Sequence, residues 1–336
     1  MKIAVFEVEE WERTAFEELE SDHELVYRAD ELTPELAEEV ADADVISTFI
    51  YSDGGEETLS RFQDLKLIAT RSTGYDHIDM DHCGEAGIAV AVVPDYGANT
   101  VAEHAFGLLL AISHRIVQAV ERTRRGDFSQ DGLRGFDLQG RVLGVVGTGD
   151  IGEHMLRIGS GFGMELLAFD VVQKDELADD VGFDYVELDD LLARSDVISL
   201  HVPLNDQTRN MLSADQFDRM KDGVVLLNTA RGELVDVQAL TDAMASGKVA
   251  AAGLDVLPEE PAVREEAELL RPQFRRDHDV DALLANHVLL RQENVLVTPH
   301  SAFNTKEAVE QILNTTVDNI AAFARGEPEN LVNEDG

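Results

Sequence analysis

Short apolar runs alternate with amphipathic stretches along most of the chain. Four runs lie in the N-terminal part, at 1–8, 44–50, 65–74 and 88–94, and six follow at 141–147, 164–170, 196–202, 223–230, 249–256 and 294–300. Apolar runs of this length, separated by helical patterns, predict parallel strands that are connected by helices. We therefore predict an α/β fold with two sheets, of which the second is the larger.

A longer apolar stretch separates the two series of strands. Residues 99–123 read NTVAEHAFGLLLAISHRIVQAVERT, which predicts one helix without a capping signal. This helix is too long and too apolar for an ordinary surface element. We expect it to connect two domains and to pack against a second subunit, which predicts a homodimer.

The chain is long enough for two domains with substantial cores, because it has 336 residues of which 44% are hydrophobic. The N-terminal sequence MKIAVFEV lacks the basic and long apolar segments of a signal peptide, and no later run is long enough to cross a bilayer. Cys83 is the only cysteine. We expect a soluble, reduced and cytoplasmic protein without a membrane partner.

The charge balance is strongly acidic, with 67 Asp and Glu against 27 Lys and Arg and a formal net charge of −40. Such a surface repels nucleic acid and anionic membranes. Self-repulsion of this size destabilises a compact protein in dilute buffer, whereas roughly 1 M salt shortens the screening length to about 3 Å. We therefore predict a halophilic protein from a salt-rich cytoplasm; the alternative is an acidic protein from an ordinary cytoplasm.

A glycine-rich loop follows the first strand of the second series. Gly147, Gly149 and Gly152 form a G-x-G-x-x-G motif that opens a helical pattern, and Asp170 ends the next strand, 18 residues after Gly152. This context is typical of a dinucleotide site, in which the carboxylate binds the adenosine ribose and repels a 2′-phosphate. The motif predicts NAD rather than NADP; the alternative is a glycine turn without a nucleotide. The acidic side chain of Asp150 within the loop has no explanation in this interpretation.

Three polar residues follow strands of the second series. Arg231 comes directly after the run at 223–230, Glu260 lies in the turn after 249–256, and His300 ends the run at 294–300. Reduction of a keto acid needs a cation for the carboxylate and a proton donor for the carbonyl oxygen. We predict that Arg231 binds the carboxylate and that Glu260 and His300 form an acid–base pair. Alternatively, they are a surface ion-pair former, a turn residue and a strand-end histidine.

With these residues the chain resembles the D-isomer-specific 2-hydroxyacid dehydrogenases over nearly its whole length. The resemblance implies two Rossmann-like doubly wound domains with a cleft that closes on the substrate. Residues 1–98 and 301–336 would form a flavodoxin-like substrate domain, and 99–300 the larger NAD-binding domain. The motifs that carry the resemblance are RSTGYDHID (71–79), VPDYGANTVAEHA (93–105), the glycine loop, LHVPL (200–204), LLNTARGELVD (226–236), GLDVLPEEP (253–261) and TPHSAF (298–303).

The resemblance also implies the parts that individual residues play. His300 would be the proton donor, Glu260 its partner and Arg231 the anchor of the substrate, while the amides near Thr73 and Gly74 and the Tyr96 hydroxyl would bind the substrate as well. Asp255 would hold the nicotinamide carboxamide. Further contacts to NAD would come from Asp150, Ile151, Val202, Pro203, Thr208, Thr229 and Ala230.

Within the family, Tyr96 and the stretch after Pro261 resemble the D-lactate dehydrogenase branch, which implies pyruvate and D-lactate as the substrate pair. The alternatives are a broad 2-ketoacid reductase, a glyoxylate or hydroxypyruvate reductase, a phosphoglycerate dehydrogenase, and a nucleotide-sensing protein like the corepressor relatives. Residues 76–83 offer several metal-ligand side chains, but the resemblance assigns this stretch to the carboxylate loop and a helix start. We predict no metal site.

Overall fold

The computed structural model describes residues 1–258 and 280–332. Two compact units divide the chain, the first formed by Met1–Gly97 with Thr305–Gly336 and the second by Ala98–Asn304. Each unit contains one parallel sheet with helices, so the predicted α/β fold is confirmed. Within the described ranges, no helix combines the length and the apolar character needed to cross a membrane.

The first unit contains a five-stranded sheet with the order β2-β1-β3-β4-β5, and every pairing is parallel. This is the flavodoxin-like order. Its strands are β1 Lys2–Val5, β2 Glu24–Tyr27, β3 Val45–Thr48, β4 Leu67–Thr70 and β5 Ala89–Ala91. Its first four helices are α1 Arg13–Phe16, α2 Pro34–Glu39, α3 Glu56–Leu59 and α4 Met80–Ala86.

The second unit contains a seven-stranded parallel sheet with the order β12-β11-β10-β9-β6-β7-β8. The order reverses beside β6, as in a dinucleotide-binding fold, and ligands bind at the carboxyl ends of strands at such a point. Its strands are β6 Val142–Val146, β7 Glu165–Phe169, β8 Asp184–Tyr185, β9 Val197–Leu200, β10 Val224–Asn228, β11 Val249–Leu254 and β12 Val295–Val297.

Within residues 98–258 and 280–304, eight helices accompany this second sheet. They are followed by α13 of the first unit, Lys306–Arg325. The eight are α5 Ala98–Ser113, α6 Ile116–Arg124, α7 Asp150–Gly161, α8 Asp175–Val181, α9 Leu188–Arg194, α10 Ala214–Arg219, α11 Val237–Ser246 and α12 Val280–Leu290.

The prediction of one helix over 99–123 is wrong, because the structure has two helices there, α5 and α6. Arg115 lies between them with φ +51°, a left-handed conformation that ends the first helix. The apolar face of α5 is buried, including Phe106 and Leu109, whereas α6 has no buried residue. The two halves of the predicted helix therefore have different environments.

The long helix α13 completes the core of the first unit. The Thr305 side chain caps its first turn by accepting a hydrogen bond from the Ala308 amide at 3.3 Å. Ile312 and Ile320 are buried on one face, and burial of each such side chain contributes about 1.5–3 kcal/mol. The buried Asn319 amide donates to the Val92 carbonyl at 2.9 Å, which joins the helix to the segment after β5.

Candidate functional site

The glycine loop lies between β6 and α7, at the point where the strand order of the second sheet reverses. A Cβ atom on Gly152 would lie 1.9 Å from the Gly147 carbonyl oxygen, so only glycine permits this close turn. The first amides of a helix have no acceptor within the helix, and they attract anions. The exposed side chain of Asp150 begins this helix and does not fill the turn.

Asp170 directly follows β7 and closes the other side of the loop. Its carboxylate accepts hydrogen bonds from the Thr148 amide at 2.6 Å and the Thr148 hydroxyl at 3.1 Å, while the Val172 amide donates to the second oxygen at 3.0 Å. Burial alone would raise the pKa of Asp170, but these hydrogen bonds outweigh it and the pKa lies below its ordinary value. The group therefore carries a negative charge at neutral pH.

Two buried polar atoms at the same edge of the sheet have no protein partner within residues 1–258 and 280–332. They are Nδ1 of His201, which follows β9, and Oγ1 of Thr229, which follows β10. Burial lowers the pKa of His201 to about 3, so the ring is neutral. Buried polar atoms usually have a hydrogen-bond partner, and a bound polar ligand would supply one. Together with the close turn at Gly152, these atoms fit a nucleotide such as NAD.

The other predicted cofactor residues after β9 form a closed turn. The Thr208 hydroxyl donates to the Pro203 carbonyl at 2.6 Å and accepts from the Asn205 amide at 2.8 Å. Val202 lies directly before Pro203, and a Cβ atom on Gly147 would approach the Val202 side chain to 3.0 Å. Val202, Pro203 and the glycine loop therefore lie side by side.

Arg231 lies in a tight turn after β10. The Asn228 side chain spans this turn, because its amide donates to the Arg231 carbonyl at 2.8 Å and its oxygen accepts from the Ala230 amide at 3.1 Å. The half-buried guanidinium donates to the Ala230 carbonyl at 2.8 Å. The Arg231 backbone is thus held in place at the carboxyl end of a central strand.

Gly232 brings the Arg231 turn against the turn that follows β11. A Cβ atom on Gly232 would lie 2.2 Å from the Leu257 carbonyl carbon and 2.3 Å from the Pro258 nitrogen. The Pro258 carbonyl in turn accepts a hydrogen bond from Asn286 of α12 at 2.7 Å. The predicted acid–base residue Glu260 comes two positions later and lies outside the described residues.

His300 follows β12 with a left-handed backbone, φ +50°. Its amide donates to the Asp255 carbonyl at 3.0 Å. The Asp255 carboxylate, 1% exposed, accepts from the Thr298 hydroxyl at 2.5 Å and from the amides of Ser301 at 2.9 Å and Ala302 at 2.8 Å. One buried carboxylate therefore holds the loop on both sides of His300.

The predicted residues of the second unit meet at one edge because their strands are neighbours. β10 pairs with β11, and β11 pairs with β12, all in parallel. The Asp255 amide donates to the Asn228 carbonyl at 2.9 Å, which links the ends of β10 and β11 beyond the ladder. The Arg231 turn, Asp255 and the His300 loop thus follow three adjacent strand ends.

The predicted substrate residues Thr73, Gly74 and Tyr96 lie in the first unit, after β4 and β5. The Thr73 hydroxyl donates to the Val93 carbonyl at 2.7 Å, and the Ser72 hydroxyl donates to the Gly74 carbonyl at 2.6 Å. The Thr73 amide donates to no acceptor in the described part of the chain. These contacts give the loop a fixed shape and leave a backbone donor for a ligand.

Sequence reasoning missed several residues that position these loops. Arg71, two residues before Thr73, is buried and donates to the carbonyls of Phe6 and Glu7, both at 2.7 Å. A charged residue inside an apolar run is the signal that could have identified it. Gly232 had a signal as well, because a glycine beside a predicted functional residue indicates a close backbone approach.

The segment 76–83, considered for a metal, has a structural explanation. The Asp79 side chain caps α4 by accepting from the His82 amide at 3.0 Å. Cys83 is buried in the core of the first unit, and burial raises the pKa of its thiol to about 11.

Comparisons with known proteins agree with this geometry. The model of the D-isomer specific 2-hydroxyacid dehydrogenase, NAD binding domain, matches residues 106–302. The D-lactate dehydrogenase of Escherichia coli is 37% identical over 341 residues, which cover 99% of this chain and 100% of that protein. The glyoxylate reductase of Korarchaeum cryptofilum is 34% identical over 343 residues, which cover 100% and 97%.

A solved structure has the same fold along its full length. The D-lactate dehydrogenase of Aquifex aeolicus, complexed with NAD and lactic acid, matches with a TM-score of 0.87 and 37% identity, covering 99% of this chain and 100% of that one. The chain therefore belongs to the D-isomer specific 2-hydroxyacid dehydrogenase family, and it is an NAD-dependent oxidoreductase that interconverts 2-keto acids and D-2-hydroxy acids.

Proposed function

We propose that this chain interconverts pyruvate and D-lactate. The observation that carries the proposal is the position of the Arg231 turn and the His300 loop at the ends of adjacent strands, in the sheet that also holds the glycine loop. A cation and a proton donor beside a nucleotide are the groups that reduction of a keto acid requires. The choice of pyruvate is supported by full-length relatives that are named D-lactate dehydrogenase.

We propose the following roles for the chain's own residues. Arg231 binds the substrate carboxylate and the carbonyl oxygen, because a guanidinium offers several donors in one plane. His300, in its protonated form, donates a proton to the carbonyl oxygen as charge develops there. Glu260 accepts a hydrogen bond from the other ring nitrogen and favours the protonated ring. In lactate oxidation His300 takes the proton back.

When it is bound, the cofactor supplies a hydride as NADH or accepts one as NAD⁺. We propose that the glycine loop and the first turn of α7, with Asp150 and Ile151, bind its phosphates, and that Asp170 binds the adenosine ribose. Val202, Pro203 and Thr208 contact the adenosine half, and Thr229 and Ala230 contact the nicotinamide half. The buried Thr229 hydroxyl supports this assignment, because within the described residues it has no protein partner. Contact between Asp255 and the carboxamide stays a prediction.

We assign substrate binding in the first unit to the amides near Thr73 and Gly74 and to the Tyr96 hydroxyl. This unit is the substrate domain of the proposal, and the second unit is the NAD-binding domain. The support is local: the Thr73 loop is held by two side-chain hydrogen bonds, and the buried Arg71 just before it is bonded to the Phe6 carbonyl.

A substrate panel tests the proposal. NADH oxidation would be followed with pyruvate, glyoxylate, hydroxypyruvate and a branched 2-keto acid in roughly 1 M KCl, where surface charge is screened, and the product would be assigned by chiral chromatography. We expect pyruvate to have the highest kcat/KM and to give D-lactate. A value roughly tenfold higher for glyoxylate or hydroxypyruvate would replace D-lactate with the reductase alternative. Absence of turnover with every keto acid would favour a nucleotide-sensing protein.

We also propose that the chain is a homodimer that uses α6. Ile116, Val117 and Val120 are 46%, 39% and 40% exposed on this helix, and Phe128 in the segment after it is 80% exposed. Clustered apolar side chains of this kind mark interaction surfaces. Light scattering at several concentrations should give twice the chain mass, and Val117→Asp with Val120→Asp should give the monomer. A wild-type monomer at high concentration would contradict the proposal.

The cellular setting we propose is a salt-rich cytoplasm. The formal charge of −40 supports high salt, since screening is needed to offset self-repulsion of that size. The buried free thiol of Cys83 is compatible with a reducing compartment.

A further inference from the structure

His104 lies on α5, and its ring contacts the loop that precedes His300. The His104 Nε2 atom is 2.9 Å from the Thr298 hydroxyl oxygen and 3.5 Å from Oδ1 of Asp255. The His104 side chain is 25% exposed, whereas the Asp255 side chain is 1% exposed. The histidine is therefore the outermost polar group of a cluster that ends at a buried carboxylate.

The direction of the hydrogen bonds in this cluster follows from their chemistry. The Thr298 hydroxyl donates its single hydrogen to Oδ1 of Asp255 at 2.5 Å. It then has only lone pairs to offer to His104, so Nε2 of His104 must carry the hydrogen and donate it. These contacts form one hydrogen-bond network, from His104 Nε2 to the Thr298 hydroxyl and on to the Asp255 carboxylate.

Asp255, the last residue of this hydrogen-bond network, holds the backbone of the His300 loop. Asp255 accepts from the amides of Ser301 and Ala302, and its own carbonyl accepts from the His300 amide. A non-glycine residue at φ +50° persists only where its surroundings hold it. A rotation of the Asp255 carboxylate would release the amides on the far side of His300 and move the ring.

We propose that His104 is a positioning residue for His300, acting through Thr298 and Asp255. The inference rests on the proposed proton-donor role of His300. The ends of β11 and β12 meet α5 in this cluster, so the helix sets the orientation of Asp255 from outside the sheet. In this proposal His104 fixes the geometry of proton transfer through Thr298 and Asp255, without contacting the substrate.

Three substitutions of His104 test the proposal. The amide nitrogen of Gln reaches the place of Nε2, whereas that of Asn reaches the place of Nδ1 and misses Thr298. We expect His104→Leu and His104→Asn to lower kcat roughly tenfold, since small displacements of catalytic groups have effects of this order or larger. His104→Gln should retain both kcat and the KM for NADH within about twofold.

Thr298→Val tests the same hydrogen-bond network independently. It should lower kcat as His104→Leu does. The kcat of the double variant should be no lower than that of either single variant, because both substitutions break the same hydrogen-bond network. Thermal unfolding of each variant separates this effect from a loss of folded protein. Equal kcat values for the Gln and Asn variants, unchanged turnover of His104→Leu, or additive losses in the double variant would each overturn the proposal.

A His300→Asn reference distinguishes this inference from the proposed function. If that variant keeps wild-type turnover, the role of His300 itself is wrong. If it is inactive while His104→Leu is fully active, only the positioning role fails.

Discussion

The backbone of His300 decides how its side chain is best tested. Its φ of +50° is tolerated by asparagine better than by most residues, so His300→Asn removes the imidazole and keeps the loop. We expect kcat to fall about 100-fold or more, because a positioned proton donor contributes about that much. The affinity for NADH, measured by fluorescence titration, should stay within about twofold. Wild-type turnover would exclude the proton-donor role.

The guanidinium of Arg231 offers a second test at the level of one residue. In Arg231→Lys an ammonium replaces the planar fork, and the hydrogen bond to the Ala230 carbonyl is lost as well. We expect the KM for pyruvate to rise at least about tenfold, with a smaller change in kcat. Arg194→Lys is the matched control, since that side chain pairs with Asp190 on the surface. An unchanged KM in Arg231→Lys would contradict its role in carboxylate binding.

Asp170 should select NAD over NADP at every pH near neutrality. Its pKa is below the ordinary value because hydrogen bonds from Thr148 and Val172 outweigh burial, which acts in the opposite direction. Stabilisation from a lowered pKa is complete above the unfolded value and is lost as pH falls through the folded value. We expect Asp170→Asn to lower the affinity for NADH about tenfold, the effect of losing a charged hydrogen bond. The NADH to NADPH ratio of kcat/KM should fall at pH 8, and the loss of NADH affinity should be equal at pH 5 and pH 8.

A strong pH dependence of the loss of NADH affinity between pH 5 and pH 8 would show that the Asp170 carboxylate titrates in this range. It would contradict the direction given for its pKa.

At the level of elements, ten of the strands in residues 1–258 and 280–332 could be predicted from apolar runs, and two could not. β2 and β8 are the missed ones, with the sequences ELVY and DY. Both lie at an edge of their sheet, so they have few buried positions and no continuous apolar run. The central strands β3 and β9 are buried at every residue, which is why each lies in an apolar run that predicts a strand.

The break between α5 and α6 had no signal in the sequence. Neither glycine nor proline occurs at His114 or Arg115, and the apolar pattern continues through both. The end of α5 depends on tertiary contacts instead: the Phe136 amide donates to the Ser113 carbonyl at 2.9 Å, and a Cβ on Gly135 would overlap that carbonyl. A distant segment thus takes the acceptor that the helix would otherwise use.

The sequence predicted which strand ends carry the candidate site, but it did not predict the contacts that hold the loops of the site. Arg231 and His300 follow apolar runs, and carboxyl ends of parallel strands meet at one edge. The partners that hold the loops come from far away in sequence: His104 and Thr298 are 194 residues apart. No periodicity records such a contact, since it depends on how α5 packs against the sheet.

The tight turn before α7 gives a prediction at the element level. A Cβ on Gly152 would overlap the Gly147 carbonyl, whereas one on Gly161 at the other end of the helix meets nothing within 4 Å. We expect Gly152→Ala to cost about 1–3 kcal/mol of unfolding free energy, as overpacking does, and to abolish NADH binding. Gly161→Ala should keep NADH binding and should not lower the unfolding free energy, because alanine favours a helix over glycine. Chemical denaturation and NADH titration measure the two effects, and equal behaviour of both variants would contradict the packing argument.

At the level of the whole molecule, ion pairs do not balance the acidic surface. Pairs such as Arg157 with Asp180 and Arg194 with Asp190 involve exposed side chains, and exposed pairs contribute about 0–1 kcal/mol each. With 67 acidic and 27 basic residues, most carboxylates have no cationic partner available. Their mutual repulsion is a property of the molecule as a whole, and only the solvent can screen it.

Salt should therefore stabilise this protein in proportion to its surface charge. We expect the unfolding temperature to rise steadily as KCl increases from about 0.1 M to about 1 M, since the screening length falls from about 10 Å to about 3 Å. Salt also strengthens burial of apolar groups, so a matched variant is needed. Four exposed acids change to amides in that variant: Glu85→Gln, Asp179→Asn, Asp218→Asn and Asp318→Asn. It should be more stable than the wild type at low salt and equal to it at high salt. If both proteins gain the same stability from salt, screening of repulsion is not the cause.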